Sequence, residues 1–163
     1  MTTAATVANY IISLLAHDRD LETVKLQKLL YFAQGWSFAL RGKQLFSDDF
    51  EAWKHGPVIR SIYYQHAKAV RIPSDFKFDG NEYLDTDTGN LDESEKRLIR
   101  AVVKDYGSLN PFELVDLTHL PNSPWSEVHQ EEGTPQTISK DRINSFFSKE
   151  KERVRRTGEL IPL

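Results

Sequence analysis

The strongest constraint on this chain lies between Thr23 and Arg41. There Leu26, Leu29, Leu30, Ala33, Trp36 and Leu40 recur at the three-and-four spacing of a single helix face. Thr23 suits an N-cap, and Gly42 stands where a left-handed residue ends a helix, so the spacing predicts a helix that starts after Thr23 and runs to about Arg41. No other periodic signal in the sequence is as strong.

Further helices follow the same logic. Ala4, Val7, Ala8, Ile11, Leu14 and Leu15 mark a first helix over 4 to 16, closed by the polar turn His17-Asp18-Arg19-Asp20. Pro57 suits the first position of a third helix with Val58, Ile59, Ile62 and Tyr63 on its apolar side. Asp92 with Glu95 reads as a capping box opening a fourth, through Leu98, Ile99, Val102, Val103 and Tyr106 to Gly107. Asn110-Pro111-Phe112-Glu113 repeats that box for a short fifth helix through Leu114, Val115 and Leu117, and Ser123-Pro124-Trp125 starts a brief turn. Ser139 caps a last helix through Ile143, Phe146 and Phe147 that passes into a charged run, Lys149 to Arg156.

Strand character is confined mostly to residues 44–54, 72–84 and 134–138. The expected class is therefore mainly α (α+β): a single compact domain over 1–163, with five to seven helices, a small antiparallel β element and 149–163 as a charged C-terminal tail. A chain of 163 residues is long enough to bury a core without staples.

Several chemistries fall away on inspection. There is no cysteine, so disulfides, thiol nucleophiles and cysteine-ligated zinc are absent, which fits a reducing compartment. The glycines at 35, 42, 56, 80, 89, 107, 133 and 158 are too far apart for a dinucleotide fingerprint, a phosphate-binding loop or a nucleophile elbow. None of His17, His55, His66, His119 and His129 stands at zinc-pair spacing; His119 and His129 would have to meet in space. No cofactor is expected. Lys and Arg total 21 against 24 Asp and Glu, a net charge of −3 that argues against DNA as a partner. The apolar run Tyr10 to Ala16 is far shorter than a membrane span, and no signal-peptide pattern precedes it, so a cytoplasmic protein is expected.

Charge is unevenly placed. Residues 75–95 carry eight carboxylates against Lys77 alone, while Lys140 to Arg156 carries seven basic residues against three acidic ones. The basic tail reads as a solvated helix face, as a contact for nucleic acid or an acidic partner, or as a partner of the acidic 75–95 stretch. Asp48, Asp49, Glu51 and His55 form the best acid–base cluster, since Asp49 and Glu51 share a face if the segment is a strand. A solvated turn leading into a strand explains the same residues. Trp53, ahead of Lys54-His55-Gly56-Pro57, and Trp125, after Pro124, each read as a core anchor or as half of a binding hot spot.

The run Val24 to Trp36 (VKLQKLLYFAQGW) resembles the opening signature of the Panacea domain, the SocA-type antitoxin family, to which phage-associated GepA-like proteins also belong. Phe50 to Val58 (FEAWKHGPV) is similar to the second signature of that family, Leu117-Thr118-His119 with Pro124-Trp125 to the third, and Ile138 with Ile143 to Phe147 to its closing helix. The resemblance covers roughly residues 5 to 148 in family order. It implies a non-enzymatic antitoxin that binds a cognate toxin, with delivery to a ClpXP-type protease as a known mode of SocA-type members.

The expected partner surface is Trp53, Lys54 and His55 with Tyr63 and Tyr64 on the next helix, and His119 and Trp125 as further candidates. Tyr63 and Tyr64 lie about 100° apart on a helix, so one packs inward while the other faces out. The competing readings are a small acid–base hydrolase centred on Glu51, His55 and His119, and a phage-derived interaction protein without a toxin. The oligomeric state and the identity of the toxin stay open.

Overall fold

The helix marked out by the apolar spacing is the axis of the molecule. The structure, a computed structural model, describes residues 2–15, 21–79 and 91–161. Among the described residues the chain order is α1 (Ala4–Leu15), β1 (Leu21–Glu22), α2 (Thr23–Arg41), β2 (Phe50–Trp53), β3 (Gly56–Val58), α3 (Arg60–His66), β4 (Arg71–Ile72), α4 (Glu93–Tyr106), α5 (Pro111–Thr118), α6 (Pro124–Val128), β5 (Thr137–Ile138) and α7 (Lys140–Thr157). This is a mainly helical protein with a small antiparallel β component.

Helix α2 is covered by α1, α4, α5 and α7 and by the strands β1 and β3. Every residue from Lys25 to Ser37 is buried, polar ones included. A buried polar group must find a partner or destabilise the fold. Gln34 accepts from the N–H groups of Leu45 (2.7 Å) and Phe46 (3.3 Å) and donates to the Phe46 carbonyl (2.8 Å). Gln27 treats Ile59 alike, accepting from its N–H (2.9 Å) and donating to its carbonyl (3.4 Å). On α1, Asn9 holds Phe78 in the same two-way fashion (2.8 and 3.1 Å). Each amide side chain stands in for a β-strand and pins one point of an otherwise irregular segment.

The three-stranded sheet has the order β3-β2-β5, antiparallel throughout, with Glu51 opposite Val58, Trp53 opposite Gly56 and Phe50 opposite Ile138. A separate pair joins β1 to β4 through Leu21 opposite Ile72. Both capping boxes are present, Asp92 with Glu95 and Asn110 with Glu113, as are the Ser123 and Ser139 caps. Gly42 ends α2 with φ 72 and donates to the Phe38 carbonyl.

Four expectations need correction. Thr23 is not the N-cap of α2; Glu22 precedes the helix, and the Thr23 hydroxyl donates to the Ala69 carbonyl (3.0 Å) because the β1–β4 pairing draws it there. Leu40 is 57% exposed, at the rim of a shallow groove between α2, α4 and α7 rather than under a covering layer. Pro57 does not begin a helix: it pairs with Ala52 in β3, an edge strand where its missing N–H breaks no ladder bond, and α3 starts at Arg60. Among the described residues strand is also shorter than expected, β4 taking in only Ile72 of the expected 72–84 stretch; β1 is unforeseen because it pairs with distant β4, and β3 because Gly56-Pro57 read as the start of a helix. His17 to Asp20 and the acidic 80–90 portion lie outside the described residues. The charged run 149–156 continues α7 as helix to Thr157.

Helices α2 and α7 meet at Gly35. A Cβ built there would lie 2.2 Å from a ring carbon of Phe147, a side chain already wedged edge-on against Tyr31, Phe32 and Trp36. Alanine gains about 1 kcal/mol of helix propensity, whereas overpacking a filled core costs about 1–3 kcal/mol. Gly35→Ala is therefore expected to lower the melting temperature by a few degrees, and Gly35→Ala with Phe147→Leu to recover part of the loss; thermal melts of both variants check this.

Candidate partner-binding site

The β2–β3 hairpin turns through Lys54 and His55, both exposed, and closes on Gly56 at φ 106. Only glycine fits there. Beyond the positive φ, an added Cβ would stand 2.7 Å from Cε of Lys28 and 2.7 Å from the hydroxyl of Thr118. The hairpin is thus clamped between α2 on one side and the end of α5 on the other.

Lys28 is the residue that sequence reading missed. It is 1% exposed, and its ammonium donates to the Pro57 carbonyl at 3.0 Å. Burial pulls the amine down from the usual lysine value to about 7. His66 on α3 and His119 after α5 are also held below the ordinary histidine value, chiefly by burial, with the nearby Lys28 charge adding to it in both. The available signal was a lysine inside the apolar run Leu26 to Ala33, which a one-faced helix would place in solvent.

The expected surface residues divide between two places. Trp53, Lys54, His55 and Tyr63 line a groove of about 330 Å³ between the start of α2, the hairpin and α3, with Lys28 and His66 deeper in. The Trp53 and Tyr63 rings pack at 4.7 Å. Val70 at the lip is 72% exposed, so an apolar contact there is open to a partner. Ala67 closes α3 at the same lip with φ 42, a value that disfavours a Cβ. Tyr64 faces elsewhere, 64% exposed, its hydroxyl accepting from Arg60 (2.9 Å).

His119 and Trp125 stand behind the hairpin. The Trp125 ring is sandwiched between His119 (3.6 Å, near parallel) and His129 (4.3 Å). Its indole N–H donates to the Trp53 carbonyl at 2.6 Å, which braces β2 from the rear. The two histidines do meet in space, but the indole lies between them, so they do not face a common ion. A larger hollow of about 620 Å³ between α6 and α7 contains the Arg142–Glu127 ion pair and none of the expected surface residues.

The acid–base cluster does not assemble as a catalytic pair. Arg60 grips both oxygens of Glu51 (2.8 and 3.0 Å), and the Trp53 indole donates to the same carboxylate (2.9 Å). These bonds hold Glu51 below the usual carboxylate range, the wrong direction for a proton-carrying acid at neutral pH. Asp49 is paired instead with Lys140 of α7.

A family model described as "Antitoxin SocA-like, Panacea domain" matches residues 26–126, from α2 through α6. The chain belongs to that family. It is similar to Antitoxin SocA of Caulobacter vibrioides (strain NA1000 / CB15N), 29% identical over 141 residues that span 80% of this chain and 72% of the relative. No solved structure matches it. The matched region of this Panacea-domain chain contains Lys28, the hairpin, α3, His119 and Trp125. No helix among the described residues is long and apolar enough to cross a membrane.

Buried Lys28 also makes stability depend on pH. Its folded value of about 7 lies below the unfolded 10.5, so between those limits the unfolded chain binds more protons and stability rises with pH. At about 1.4 kcal/mol per unit, that amounts to several kcal/mol at most. Lys28→Met is expected to flatten the rise in melting temperature between pH 7 and pH 10; an unchanged slope would put the amine in water.

Proposed function

We propose that this protein is the antitoxin of a toxin–antitoxin pair, and that it neutralises its cognate toxin by direct binding at the groove beside the β2–β3 hairpin. One observation carries the reading: Trp53, Lys54, His55 and Tyr63 converge on the rim of a single groove with exposed apolar Val70 at its lip. Aromatic anchors in a partly desolvated pocket with a charged rim are the usual make-up of a binding hot spot. The clamp on Gly56 and the brace from Trp125 hold the hairpin before the partner arrives, which spares part of the ordering cost of association. Membership of the SocA-like antitoxin family supports a toxin as the partner.

Direct occlusion of the toxin and delivery to a ClpXP-type protease both begin with this contact. Co-expression with the product of the adjacent reading frame, scored by growth, tests the antitoxin role. Toxin abundance in cells with and without the protease separates the two routes.

Lys54 and His55 are exposed, so truncating them removes contact without opening the core. Lys54→Ala and His55→Ala are each expected to weaken toxin binding by about 2 kcal/mol, roughly thirtyfold, at unchanged melting temperature. Titration against the toxin paired with a thermal melt checks this. Wild-type affinity in both variants would shift the interface to the Trp125 loop.

A further inference from the structure

The groove has a one-sided chemistry. Its lining includes Lys28, Lys54, His55 and His66 and, among the described residues, no carboxylate, although the chain as a whole carries a net charge of −3. Its donors are under-used as well. An ammonium has three N–H groups, and Lys28 uses one, toward Pro57. Gln27 turns its amide nitrogen to the Ile59 carbonyl and to Nε2 of His66 (3.2 Å), so that ring nitrogen accepts and Nδ1 carries the proton. That buried Nδ1 has no partner at hydrogen-bond distance. The walls, in contrast, are apolar: Val24, Val58 and the rings of Trp53 and Tyr63.

We propose that the groove holds an acidic, otherwise apolar segment of the toxin, with a carboxylate at the mouth against Lys54 and His55 and the donors of Lys28 and His66 behind it. The proposal rests on the antitoxin reading above and specifies the chemistry of its partner. Charge complementarity selects the occupant. Lys54 at the mouth, with no carboxylate in the lining among the described residues, attracts a local negative charge, and a rim charge acts mainly on encounter rate and salt dependence. A nucleic-acid backbone is the less suitable anion, because regularly spaced phosphates need a long basic track rather than a short apolar-walled groove.

The test is calorimetric titration of the full chain with the protein encoded by the adjacent reading frame. Wild type is compared with Lys54→Ala/His55→Ala and Lys54→Glu/His55→Glu, each with a melting curve, in low and high salt. The charge-reversed protein is expected to bind at least about tenfold more weakly than the alanine version, and wild-type affinity to fall about tenfold or more from low to high salt. A carbodiimide, which joins carboxylates to amines, is expected to link Lys54 to an Asp or Glu of the toxin in an identifiable peptide. Equal binding by the alanine and charge-reversed versions would overturn the acidic-segment proposal while leaving the antitoxin reading in place. Wild-type affinity in all variants would remove the interface from this groove. Capture of a labelled single-stranded oligonucleotide that the toxin cannot displace would assign the cations to phosphate instead. Failure of the wild type to bind the toxin or rescue growth would sink both readings together.

Discussion

Burial of α2 on every side from Lys25 to Ser37 is the constraint on which the rest of the structure depends. A helix buried on one stripe can leave its polar residues in water, but α2 has no such face along most of its length. Its glutamines and Lys28 must be satisfied from outside the helix, and the groups that meet them are backbone atoms of irregular segments and short strands. Gln34 fixes the return of the chain at Phe46, Gln27 fixes the start of α3 at Ile59, and Lys28 fixes the edge strand at Pro57. The covering layer is thereby set in register by hydrogen bonds rather than by long strands. This explains how a sheet of two- to four-residue strands holds its shape.

The same constraint builds the candidate site. Lys28 approaches Gly56 so closely that no side chain fits there, and Thr118 closes the opposite side. The hairpin is left with two exposed residues at its tip and a floor that contains the buried Lys28 amine. The ion pair of Glu51 with Arg60 then turns the outer face of β2 into a packed layer with Trp53. A buried amine and exposed groups held in place stand within one short stretch of structure, a combination suited to recognition.

On the far side, α7 seals α2 with aromatic rings. Phe147 reaches over Gly35 into Tyr31, Phe32 and Trp36, and Phe32 in turn stacks on Tyr106 of α4 at 4.2 Å. Trp36 donates its indole N–H to the Tyr106 hydroxyl (2.9 Å), linking α2 to α4 by a polar bond inside an apolar layer. Helix α7 lies outside the matched 26–126 region yet supplies this cover, so its charged outer half accompanies a structural inner one.

What the sequence determined by itself is whatever its neighbours in the chain could decide. Capping boxes at Asp92 and Asn110, the left-handed stop at Gly42 and the apolar spacing of α2, α4 and α7 are local, and each element stands where those residues put it. The aromatic and basic residues around Trp53 could be named from the same short range. Tertiary structure alone decided that Thr23 bonds across to Ala69 and that Lys28 is buried rather than solvated. It also brought Tyr63 to the groove and left His119 and Trp125 behind the hairpin. The physical reason is that a cap or a helix face is settled within a few residues, whereas the burial of Lys28 and the placing of Trp125 depend on partners 29 and 72 positions away.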